Sequence, residues 1–338
     1  MTRRAVVVSP DAGSDAGGTE RFCNQVARLL ERLGYDATVV TPPVAPPWLA
    51  RQGAGFLWQA RAVRAETDGA DLVVTSGYLG WPGMGRGRRV HVYVGNMLRL
   101  APLIEGRWHW RLRWGALGGL ADALAGRGAT VVAGSEQAAE DAARFYRARV
   151  QAVLPLGVDT ELFRPRDRME ARRRLGLDGD GRYALFVGRG EPGKGPRVAL
   201  EASRRAGFDL LAAGARPVEG SRVLGVLPSE ELAWAYAAAD AVVLPTRYEG
   251  FGYVAVEGLA AGVPVVTTPT GWARELGRAV PAYRPLLVAP VADAVAGALS
   301  GIGSDEVAGA VAAARSFVLE HNTLDAFARR WAPVLAGP

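Results

Sequence analysis

A single lysine stands in a chain whose other 39 basic residues are all arginine, and it sits in GRGEPGKGP, residues 188 to 196. An ammonium on a flexible stem is a compact point charge, whereas a guanidinium is a wide planar fork. Lys194, boxed between Gly193 and Gly195, therefore suits a crowded anion such as a phosphate, with Arg189 as a second cation. The bland alternative is an accident of composition. The run VGRGEPGKG closes a strand and opens a helix, so bare N–H groups and the helix dipole also favour an anion there. Gly188, Gly193 and Lys194 satisfy G-x-x-x-x-G-K, but a P-loop needs Ser or Thr next to hold Mg²⁺, and Gly195 and Pro196 follow instead.

The second segment with chemistry in it is PTRYEGFGYVAVEGLAAGVPVV, residues 245 to 266. Glu249 and Glu257 stand eight apart, and Gly250 and Gly252 leave the backbone bare between them. A helix beginning near Gly252 turns the amides of Phe251, Gly252 and Tyr253 into an anion site. Glu249 then lies in the loop and Glu257 inside the helix, where each carboxylate can accept bonds from two hydroxyls of a sugar or ribose. Two solvated charges are the bland alternative, set against Ala255, Leu259 and Ala260, which belong in a core. The one D-x-D, Asp178 to Asp180, falls in DGDG and reads as a turn rather than a metal site. Cys23 has no second cysteine for a disulfide or a multi-cysteine metal centre, and reads as a buried, inert thiol.

These residues need elements to hold them. Short β-branched runs alternate with helical stretches: 5–8, 37–40, 71–75, 89–94, 129–133 and 150–154 read as strands in the first half. TERFCNQVARLLERLG, 19–34, reads as a helix with Phe22, Val26, Leu29 and Leu33 on one stripe and Gly34 at its end. After the Pro-bearing PLGVDTELFRPRD the pattern restarts, with strands expected at 183–188, 209–214, 222–227, 241–245, 263–268 and 285–289. Alternation at this spacing means parallel sheets with crossover helices, α/β and doubly wound. Two such sets imply two Rossmann-like domains, 1–156 and 157–320, facing a central cleft, with a last helical segment, 321–338, that packs back on the first domain.

Composition bounds the rest. Apolar residues make up 49% and charged residues 22% of 338, an ordinary soluble mix. The opening MTRRAVVVSP has too short an apolar run for a signal peptide, and no run approaches the ~18 residues of a membrane span, so the cytoplasm is the expected compartment. Of the net charge of +6, residues 1–165 carry +5, from 20 basic and 15 acidic residues. That suits an anionic ligand or membrane surface, and equally a solvated face. No basic tract or nucleic-acid motif points to DNA or RNA.

Together the motifs resemble the retaining glycosyltransferases of the GT4 family, which have the GT-B fold. The glutamate–seven residues–glutamate spacing of Glu249 and Glu257, VGRGEPGKG, DAGGTERFCNQVARLL, VVAGSEQAAEDAARFY and LPLGVDTELFRP all resemble that family's segments, over nearly the whole chain. The resemblance implies a nucleotide-diphosphate sugar as co-substrate, held mainly by the second domain, and no metal or other cofactor. It implies that Arg189 and Lys194 hold the diphosphate and Glu257 the ribose. Glu249 would hold the donor sugar, assisted by Gly250 and the amides around Phe251, Gly252 and Tyr253. Gly17 and Gly18, at the first strand–helix turn, would let the other domain's backbone reach the diphosphate. It further implies a small-molecule or lipid-linked hydroxyl acceptor and retention of anomeric configuration, the leaving phosphate oxygen taking the acceptor proton.

The chain departs from the family at the histidine many members carry near the donor sugar. Spacing puts Gly95 or Asn96 there, while His91 comes earlier, inside a strand, where a core role competes with a sugar contact. In EGRWHWRLRWGALGGLADAL, 105–124, Trp110, Trp114, Leu117, Ala121 and Leu124 form one core stripe. Trp108 lies off it and could line an acceptor pocket or meet lipid headgroups in a peripheral membrane contact, beside Arg107, Arg111 and Arg113. A nucleotide-sugar epimerase and a non-catalytic nucleotide-sugar-binding subunit are the competing readings. The first lacks an assignable acid/base group; the second is favoured by the missing histidine alone.

Overall fold

A computed structural model describes residues 3–10, 17–51, 54–103, 106 and 108–337. The chain divides into two compact units, Met1–Gly157 with Phe327–Pro338, and Val158–Ala326.

The first unit is built on six parallel strands: β1 (Arg3–Val8), β2 (Tyr35–Val40), β3 (Leu72–Ser76), β4 (Arg88–Tyr93), β5 (Thr130–Ala133) and β6 (Ala152–Val153). They lie in the order β2-β1-β3-β4-β5-β6. Ala5, Val6, Val7 and Val8 are wholly buried, as continuous β-branched runs must be when helices cover both faces. The helix Gly18–Arg32 buries Phe22, Cys23, Val26, Leu29 and Leu30, and Gly34 at φ +82° stops it. From Phe327 onward the last helix, Leu324–Ala336, belongs to this unit. Trp331 is fully buried, its ring 5.1 Å from that of Phe22 and its Nε1 donating to the Pro155 carbonyl at 3.3 Å.

The second unit has five parallel strands: β7 (Tyr183–Val187), β8 (Asp209–Ala213), β9 (Arg222–Gly225), β10 (Ala241–Leu244) and β11 (Val265–Thr267). Their order is β11-β10-β7-β8-β9. The expected strand at 285–289 does not form. Residues Pro281–Leu286 make a 3-10 helix, and only Leu287 bridges to Thr267. Pro285 has no N–H to give a ladder, so the pairing ends at one bridge. Both sheets are parallel and doubly wound, as the alternation of strands and helices predicts. The chain leaves β7 toward β8 and β9, then returns to lay β10 against the other side of β7. That places a switch point between β7 and β10, and the same logic places one between β1 and β3. Among the described residues no helix is long and apolar enough to cross a membrane.

Candidate functional site

The loops that follow β7 and β10 meet at the switch point of the second sheet. Gly188 leaves β7 with its N–H on the Ala213 carbonyl at 3.0 Å, and its own carbonyl runs so close to Gly214 that a side chain there would collide. Pro192–Lys194 form one 3-10 turn, and Gly195, at φ +72°, ψ +38°, opens the helix Pro196–Arg205. A Cβ on Gly195 would strike the Pro245 carbonyl, so only glycine fits. From the other side the Arg247 N–H donates to the Gly193 carbonyl at 2.8 Å, and Thr246 Oγ1 donates to the same carbonyl at 3.3 Å. Two loops distant in sequence are thus fastened through the Gly193 carbonyl.

That fastening brings Lys194 Nζ to 2.7 Å from Glu249 Oε1, with both side chains partly exposed. Arg189, at the mouth of the same loop, is 74% exposed and pairs with Glu191 through Nε at 3.0 Å. Gly252 adopts φ +103° and caps the helix Tyr253–Ala260. Phe251 is buried against Tyr253 and Trp272, and its carbonyl accepts from the Trp272 N–H at 2.9 Å. Glu257 lies one turn into the helix, 1% exposed, and accepts a bond from the buried Tyr236 hydroxyl at 2.8 Å. Tyr236 is a partner that the motifs do not reveal, because it arrives from a separate helix, Ser229–Ala238. Gly250 is half-buried in the loop that carries Glu249.

The other expected residues are spread through the first unit. Gly17 caps the helix Gly18–Arg32 in extended backbone, and the Glu20 carboxylate folds over it where a Cβ would stand. His91 is fully buried in β4, with Nδ1 2.9 Å from Thr75 Oγ1 and its ring edge-on to Tyr93. Burial, helped by the Arg89 charge, pulls its pKa down to about 3, so it is a neutral core histidine. Asn96 is 1% exposed and caps the helix Met97–Leu100, its Oδ1 accepting from Arg99 N at 3.1 Å and its Nδ2 donating to Asp141 O at 3.5 Å. A Cβ on Gly95 would meet nothing within 4 Å, so the backbone between them opens onto free space.

Trp108 begins the helix Trp108–Ala125 and is 74% exposed. The expected core stripe of that helix is corrected: Trp114, Leu117 and Leu124 are only half-buried, and the buried face is Gly115, Gly118, Gly119, Ala121, Asp122 and Ala125. Small residues let the Met97–Leu103 segment approach so closely that a Cβ on Gly118 would lie 2.7 Å from Met97 Cε. The Trp110 side chain and Arg107 lie outside the described residues.

Asp122 is a titratable group that pattern reading passes over. It is 1% exposed; Oδ2 accepts from Met97 N at 3.1 Å and from Tyr146 OH at 2.8 Å, while the buried Oδ1 has no partner among the described residues. Burial outweighs those two bonds and pushes its pKa up to about 7. Cys23 is 1% exposed, its thiol pushed up to about 12 chiefly by burial. Asp178 does form a turn, accepting from Asp180 N at 3.1 Å.

Two family models match. Glycosyl transferases group 1 covers residues 167–305, and Glycosyltransferase Family 4 covers residues 16–162. The D-inositol 3-phosphate glycosyltransferase 1 of Catenulispora acidiphila is 32% identical over 331 residues, covering 79% of this chain and 78% of the relative. The first curated relatives are matched over a smaller part: the chain spans about a third of their length, 33%, 37% and 38%. Among solved structures, the sucrose-phosphate synthase of Thermosynechococcus elongatus superposes with a TM-score of 0.80 at 22% identity, over 98% of both chains. HepE of Anabaena, solved with UDP and glucose, superposes with 0.70 at 17% identity, over 99% of this chain and 100% of that one.

Proposed function

The chain belongs to glycosyltransferase family 4, and on that premise we propose that it moves a sugar from a nucleotide-diphosphate sugar to a hydroxyl-bearing acceptor. One observation carries the reading: the loops after the neighbouring strands β7 and β10 bring Lys194 within 2.7 Å of Glu249, beside the N-terminus of the helix Tyr253–Ala260. A diphosphate meets the ammonium, the exposed Arg189 and the helix end together. Glu257, buried and oriented by Tyr236, is set to accept from ribose hydroxyls. Glu249 is set to accept from the sugar once the diphosphate has taken Lys194.

In the reaction the bond from the anomeric carbon to the diphosphate oxygen breaks and a bond to the acceptor oxygen forms. Charge grows on the departing diphosphate, and Arg189 and Lys194 are placed to stabilise it, which makes the transfer metal-independent in this reading. Configuration is retained, with the acceptor proton passing to the departing phosphate oxygen. Uridine diphosphate, which HepE holds, is the first nucleotide to try. The relatives' D-inositol 3-phosphate makes a phosphorylated cyclitol the first acceptor, ahead of a lipid-linked glycan. The test is release of nucleoside diphosphate from a donor panel in EDTA, with native protein and Lys194→Ala. The reading fails if no donor is turned over, or if the substitution leaves turnover unchanged.

A second reading, a donor-binding subunit without turnover, is favoured by the first unit. His91 and Asn96 are both buried and committed to the fold, and Gly95 offers no side chain. Saturable donor binding without turnover for any acceptor is the result that selects it. We also propose peripheral contact with the cytoplasmic membrane face, supported by the exposed Trp108, Leu112 and Leu120 on one helix beside Arg111 and Arg113. Sedimentation with anionic vesicles, reduced by Trp108→Ser with Leu112→Ser, tests it.

A further inference from the structure

Where the second sheet's strands begin rather than end, there is a cavity of about 570 Å³. Residues that lead into four strands line it: Arg182 before β7, Phe208 before β8, Asp240 before β10 and Pro264 before β11. Its position is opposite the loops that hold Lys194 and Glu249, which leave β7 and β10 at their other ends. Arg168 and Arg315 complete a set of three guanidinium groups facing one carboxylate.

That carboxylate is already committed. Asp240 Oδ1 takes Arg168 at 2.9 Å, while Oδ2 takes the buried Arg172 at 2.8 Å and the Tyr183 N–H at 2.8 Å. Among the described residues, neither Arg182 nor Arg315 has an acidic partner. The guanidinium carbon of Arg182 stands over the Phe208 ring, 4.1 Å from its centroid, with one long bond to the Ala206 carbonyl at 3.4 Å. The Nε of Arg315 donates to the Ala260 carbonyl at 3.0 Å. Neutral groups therefore orient both cations without cancelling their charge. The contrast within the same unit is clear, since Arg166, Arg174, Arg189, Lys194 and Arg205 each hold a carboxylate. The 17-residue helix Asp305–His321 also begins at the rim, at Ser304, and Asp305 and Glu306 of its first turn are not part of the lining.

We propose that this cavity is a second anion site, taking a small phosphate-bearing molecule between Arg182, Arg315 and Arg168. Guanidinium forks fixed by neutral partners match phosphate oxygens two at a time, and the volume is that of an ordinary small-molecule pocket. Nothing in this inference depends on the donor reading.

Inorganic pyrophosphate is the probe, titrated calorimetrically into full-length Lys194→Ala so that the β7–β10 loops contribute little. One equivalent should still bind. Adding Arg182→Gln, where among the described residues the side chain loses only the long bond to Ala206 and its contact with the Phe208 ring, should weaken that binding at least tenfold. Ala308→Glu, an exposed helix position on the lining, should do the same by placing a carboxylate in the cavity without touching any arginine. Matched melting temperatures guard against misfolding. Loss of all binding with Lys194→Ala alone, or affinities within twofold of the parent in both added variants, would overturn the proposal.

Discussion

Lys194 and Glu249 hold each other at 2.7 Å, so an anion that pairs with the ammonium competes with the carboxylate. On the proposed reading, a diphosphate takes the ammonium from the carboxylate and so frees Glu249 for the sugar. The two ends of the pair should therefore respond in opposite senses. Lys194→Ala should weaken nucleoside-diphosphate binding by about 10- to 100-fold, the roughly 1.5–3 kcal/mol of a charged hydrogen bond. Glu249→Gln should tighten binding of the bare nucleoside diphosphate while lowering kcat with the complete donor. Calorimetry with nucleotide and turnover with donor separate the two effects; Glu249→Gln weakening both equally would contradict the exchange. His91 and Asp122 make a second opposed pair in the first unit. His91, lowered from 6.5 to about 3, contributes stability above pH ~6.5 that is lost as pH falls. Asp122, raised from 3.8 to about 7, contributes stability below pH ~4 that is lost as pH rises through 7. Between about pH 4 and 6.5 the two slopes oppose, so native melting should vary little from this source. Asp122→Asn keeps the acceptor for Met97 and Tyr146 but cannot ionise, and should melt progressively higher from pH 4 to 6.5. An Asn variant as flat as the native chain would contradict the assignment.

Elements decide whether those residues meet at all. The approach of the Gly188–Gly195 loop to the β10 exit depends on Gly195, where positive φ and the Pro245 carbonyl both forbid a side chain. Gly195→Ala should destabilise the protein by about 1–3 kcal/mol and reduce donor affinity, since the loop must shift to make room. A melting temperature and affinity equal to native would show that the loop has freedom this packing denies it. The sequence carried much of this in legible form: β-branched runs marked all eleven strands to within two residues at each end, and the glycines around Lys194 and Glu249 marked the loops. β6 was shorter than its apolar run, and 285–289 formed no strand, because a single proline outweighed the surrounding Leu and Val. The helix Trp108–Ala125 departs from its apolar pattern for a different reason. Hydrophobic periodicity weighs large side chains, whereas this helix packs through glycine and alanine, whose contribution is the closeness they permit. Tyr236 and Asp122 were invisible because their roles come from contacts across elements, which no local spacing encodes.

At the scale of the molecule, the last helix is part of the first unit's core although the chain reaches it only after the second unit is complete. Phe22, Phe327 and Trp331 form one aromatic cluster, and Arg88 donates to the Val334 and Leu335 carbonyls at the helix end. Trp331→Ala should cost about 3–5 kcal/mol, the usual toll of emptying a fully buried aromatic site. Because that cavity opens in the first unit, the nucleotide affinity of the second unit should persist at low temperature. Thermal melting and calorimetry on the same sample check both halves. Nucleotide binding lost along with stability would mean that the donor loops depend on the first unit's core.

On the proposed reading, the loops after β7 and β10 form a nucleotide-diphosphate-sugar site with Lys194 at its phosphates. The most direct measurement is equilibrium binding of a panel of nucleotide-diphosphate sugars, in EDTA, to native protein and to Lys194→Ala. Saturable binding of one donor by the native chain, weakened at least tenfold by the substitution, is the predicted result. No donor bound, or a donor bound equally by both proteins, would contradict it.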